Sequence, residues 1–66
     1  MSRSIIRGEY EGLKGLWPTV SDTDKTGIVM RLEGLSRRTD DADADLRADI
    51  ARSIAEIKRT LHAGPR

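Results

Sequence analysis

The sequence predicts an all-α fold: an antiparallel helical hairpin with an N-terminal helix or arm packed across it, making a small three-helix unit. Three observations lead there. Apolar residues recur at steps of three and four along three separate stretches, the spacing of one face of an α-helix. Acidic residues stand at the start of the last stretch and basic residues at its end, as the helix dipole favours. The chain has no cysteine and one histidine, so neither a disulfide nor a zinc site can hold it together. Helix packing or a partner must do so.

The first element lies in residues 1–20. Ile6, Tyr10, Leu13, Trp17 and Val20 step by four, three, four and three. That is a helical stripe. Gly8, Gly12 and Gly15 fall on the opposite face, and each costs about 1 kcal/mol against Ala in a helix interior. Three of them cost about 3 kcal/mol, comparable to the net stability of so small a domain. Either something packs closely on the glycine face, or the stretch is an irregular arm that gains structure on a partner. A strand fits less well, because alternation fails and glycine weakens strands.

The second element begins at Ser21-Asp22-Thr23-Asp24, below the break at Pro18. Ser21 is placed to accept from an orphan N–H of the first turn. Asp24 stands where a capping-box acid would. Ile28, Val29, Leu32 and Leu35 form the stripe, and Gly27 and Gly34 weaken it. The spacing predicts a helix over 22–37. The short link Arg38–Asp41 makes the next helix its antiparallel neighbour.

The third element is the clearest. Leu46, Ile50, Ile54, Ile57 and Leu61 fall inside an arc of roughly 80°. Asp40, Asp41, Asp43 and Asp45 stand at its start, and Lys58, Arg59 and His62 at its end, before Gly64-Pro65. These signals predict a helix over 41–62 and a tail over 63–66.

The whole is one domain, 1–66. The chain holds six Ile, six Leu, two Val and no Phe. So short a chain buries only about 60% of its unfolded surface. Self-association or a complex is therefore expected. No stretch approaches the ~20 apolar residues of a membrane span. Arg3 and Arg7 precede no apolar run, unlike a secretory signal. A cysteine-free chain of this kind is expected in the cytoplasm.

Motifs for chemistry are sparse. Asp41, Asp43 and Asp45 have the spacing that opens a calcium loop, but Leu46 and Arg52 stand where Gly and a bidentate Glu are needed. His62 sits in a last helical turn, where no pocket can enclose it. The glycines of residues 8–15 match no phosphate-binding pattern. The sequence thus predicts no enzyme, no metal and no cofactor.

Two surfaces are left. Ile5 and Leu16 lie off the first stripe and Met30 off the second. If exposed together with Tyr10 or Trp17, they make a contact patch for a protein partner, since aromatics and Met are enriched at interfaces. That predicts a protein–protein interaction module: a self-associating chain, an inhibitor, an adaptor or an assembly subunit. The alternative is a small dimeric DNA-binding regulator. Residues 46–66 sum to +3, residues 21–45 to −3 and residues 1–20 to +1. Arg37, Arg38, Arg52 and Arg59 would then contact phosphates. Against it, Asp49 and Glu56 interrupt the basic surface, and the chain carries only +1 overall.

Overall fold

The computed structural model describes residues 3–62. The expected tail, with the Gly64-Pro65 stop, lies outside the described residues. Three helices form: α1 (Arg3–Leu16), α2 (Asp22–Arg38) and α3 (Ala44–His62). One turn of 3-10 helix, Trp17–Thr19, follows α1, and another, Asp41–Asp43, precedes α3. Among the described residues there is no strand. The fold class is all-α.

The stripes become the core. Ile6 and Tyr10 of α1, Ile28, Val29, Leu32 and Leu35 of α2, and Leu46, Ile50 and Ile57 of α3 are buried together. Leu13, Trp17, Val20, Ile54 and Leu61 pack partly buried at its margins. The contact of α2 with α3 is the most extensive, and α1 lies mainly against α2.

The helix ends follow their local chemistry. Ser21 is extended, and its Oγ accepts from the Asp24 N–H at 3.3 Å, the expected N-cap. At the other end of α2 the Thr39 Oγ1 donates to the Leu35 carbonyl at 2.7 Å. Arg47 reaches back from α3 to the Asp41 carboxylate at 2.9 Å and to the Thr39 carbonyl. These contacts brace the link between α2 and α3, and regular α-helix starts at Ala44, after the 3-10 turn, rather than at 41.

The glycine face of α1 departs from expectation. The helix forms, yet a Cβ built at Gly8, Gly12 or Gly15 meets nothing within 4 Å. Neither close packing on that face nor an irregular arm is found. The opposite stripe explains why. Burying Ile6 and Tyr10 contributes roughly 1.5–3 kcal/mol each. That offsets the glycine cost, and the partly buried Leu13 and Trp17 add to it.

The molecule is long and thin, 42 × 16 × 15 Å. Each helix keeps a face of exposed residues toward solvent.

Candidate protein-interaction surface

Among the described residues, three large apolar side chains are exposed: Ile5 at 55%, Leu16 at 49% and Met30 at 66%. All three stand off their helices' core stripes, as the sequence implied. Ile5 and Leu16 are eleven residues apart, three helical turns, so they share one side of α1.

The side of α1 that carries Leu16 adjoins α2. Leu13, Leu16, Gly27, Ile28 and Arg31 line a cleft of about 410 Å³ between the two helices. A neighbouring cleft of about 300 Å³ is lined by Glu9, Met30, Arg31, Gly34 and Arg38. Arg31 borders both, so the two run along one side of the α1–α2 pair. Gly27 and Gly34 lie along it, and a Cβ at either meets nothing within 4 Å. The missing side chains leave the backbone of α2 open to close approach.

Tyr10 does not belong to this surface. It was expected as a contact residue if exposed, and it is 2% exposed. Its hydroxyl shares a hydrogen bond with the Ser53 Oγ at 2.9 Å and donates to the Asp49 carbonyl at 3.2 Å. With its polar end satisfied inside, the ring belongs to the core stripe of Ile6 and Leu13. Trp17 is partly buried against the core.

Several polar residues with a structural part carry little signal in the sequence. Ser53 interrupts the α3 stripe between Ile50 and Ile57, and its place on that face is the one hint that a polar partner meets it. Lys25 is buried, and its Nζ donates to the Val20 carbonyl at 2.8 Å, tying α2 to the turn after α1. Nothing in the spacing of α2 distinguishes it from a solvated lysine.

The arginines of the alternative reading are divided between two helices. Arg37 and Arg38 end α2, while Arg52 and Arg59 lie two turns apart on α3. Arg52 pairs with Asp49 at 3.4 Å, and Lys58 beside Arg59 pairs with Glu33 of α2 at 3.7 Å. Among the described residues no three His, Cys, Asp or Glu side chains are grouped to hold a metal ion. No described helix is long and apolar enough to cross a membrane. Comparison with protein families, with characterised proteins and with solved structures finds no match to the chain.

Proposed function

We propose that this chain is a small non-enzymatic protein–protein interaction module of the cytoplasm. It works by burying the α1–α2 side against another protein surface. The observation that carries the reading is the coincidence of exposed Leu16 and Met30 with the clefts along Gly27 and Gly34. Apolar side chains beside open backbone suit the close approach of a helix, the groove mode of recognition. The α2–α3 pair serves as the scaffold. Its short link, 39–43, fits an antiparallel hairpin. Inhibitor, adaptor and assembly subunit are three uses of such a face.

The nucleic-acid reading has less support. Arg52, and Lys58 beside Arg59, are engaged by acids, and the charge excess is small. One comparison separates the readings. The immobilised full chain, its Leu16→Glu/Met30→Glu variant and its Arg52→Glu/Arg59→Glu variant are each challenged with host extract. The interaction reading expects the first variant to lose the captured protein and the second to keep it. Capture unchanged by Leu16→Glu/Met30→Glu contradicts the reading. So does retention on bulk duplex DNA that falls with salt and is lost in the arginine variant.

A further inference from the structure

We propose that α1 is a hinged strap. It leaves the α2–α3 pair as one unit, turning about residues 17–19 while the pair stays folded, and its glycines set how often it does so.

The three helices are not held equally. From Ile5 to Leu16, Ile6 and Tyr10 are buried, Leu13 is half-buried and every other residue is exposed. By contrast α2 buries five residues and α3 four. The largest fully covered side chains among the described residues are Leu32, Leu35, Leu46, Ile50 and Ile57. All of them belong to α2 and α3, whose mutual contact is the most extensive in the molecule. Lifting α1 gives up Ile6, Tyr10 and the hydrogen bonds of the Tyr10 hydroxyl to Ser53 and Asp49. The contacts between α2 and α3 do not depend on it.

Once lifted, α1 has little to sustain it. A helix of 14 residues is marginal in water by itself even when rich in alanine. Gly8, Gly12 and Gly15 lower its helical stability further. Its first turn holds Arg3 and no acid, the charge the dipole disfavours there. A Cβ at any of the three glycines meets nothing within 4 Å, so packing does not require them. Their effect falls on the helix itself. Undocking and melting of α1 are therefore one event.

The opening also has a built end. After the 3-10 turn Trp17–Thr19, Val20 and Ser21 are extended. Lys25 of α2 holds the Val20 carbonyl at 2.8 Å, and Ser21 caps α2. The chain from Val20 onward stays with α2, and the bend falls at 17–19. One consequence rests on the interaction reading. The cleft between α1 and α2 has Leu13 and Leu16 on one wall and Gly27, Ile28 and Arg31 on the other. Opening removes the first wall, so the interaction face exists only while α1 is closed.

Amide hydrogen exchange on the free full chain tests the strap, at a dilution below which the rates no longer change. The amides of residues 8–16 are expected to exchange through one common opening, with protection about tenfold or more below that of the slowest α3 amides. Their exchange should also depend less steeply on denaturant, because less surface is exposed. Gly8→Ala/Gly12→Ala is expected to raise their protection about tenfold. Thr39→Ala removes the buried bond to the Leu35 carbonyl within the α2–α3 pair. It is expected to lower the slowest α3 protection about fivefold and that of α1 less than about twofold. The inference is overturned if α1 and α3 amides are equally protected with one denaturant slope. It is also overturned if Thr39→Ala lowers both alike, or if the glycine replacements leave α1 unchanged. No partner is present in these measurements, so they and the capture experiment above can fail separately.

Discussion

Tyr10 carries a buried polar contact that joins the first helix to the third. Its hydroxyl meets the Ser53 Oγ and the Asp49 carbonyl. In Tyr10→Phe the Ser53 hydroxyl loses that partner, and stability is expected to fall by about 1–3 kcal/mol. Ser53→Ala leaves the tyrosine its carbonyl acceptor and is expected to cost less, about 1 kcal/mol or under. Denaturant unfolding of both variants and of the double variant checks this, and the double variant should cost less than the two single costs added. The stripe position of Tyr10 was readable from its spacing to Ile6 and Leu13. The identity of its acceptors was not, because they lie 39 and 43 residues away. Lys25 shows the same limit. A lysine on a helix looks solvated until the Val20 carbonyl is placed beside it. The exposed residues were easier: Leu16 and Met30 stand out because they fall off stripes that are otherwise regular.

The helices differ in how far they could be read. For α2 the periodicity and the Ser21 cap agree, for α3 the periodicity and the charge at its ends agree, and both helices form close to the expected bounds. The start of α3 shifted by one 3-10 turn, since Arg47 braces residues 39–41 in a geometry that no local propensity encodes. For α1, two signals conflicted. Glycine argued against a helix and the apolar stripe argued for one, and only the burial of Ile6 and Tyr10 decides between them. The open space over Gly8 and Gly12 makes a specific forecast. Gly8→Ala and Gly12→Ala are each expected to stabilise the fold by about 0.5–1 kcal/mol, since no neighbour must move. Thermal unfolding at low protein concentration should show a rise of a few degrees for each. A fall would mean that this face is packed after all.

At the scale of the whole molecule, the shape follows from how little there is to bury. The radius of gyration is 12.0 Å. A compact chain of this length would give about 11 Å. Nine apolar residues form the buried core of the described part. The scarcity of large aliphatics was plain in the composition, and so was the expectation of a partner. Which side the partner takes was not, because it depends on how α1 lies beside α2. We propose that self-association through the exposed α1–α2 side completes the fold. The concentration dependence of the melting temperature tests this most directly, measured on the wild-type chain and on Leu16→Glu/Met30→Glu. Both positions are exposed, so the variant should still fold. If the dimer is the stable species, the wild-type Tm is expected to rise by about 5 °C for each tenfold increase in concentration, and the variant Tm to stay constant. A wild-type Tm that is the same at every concentration would contradict the account.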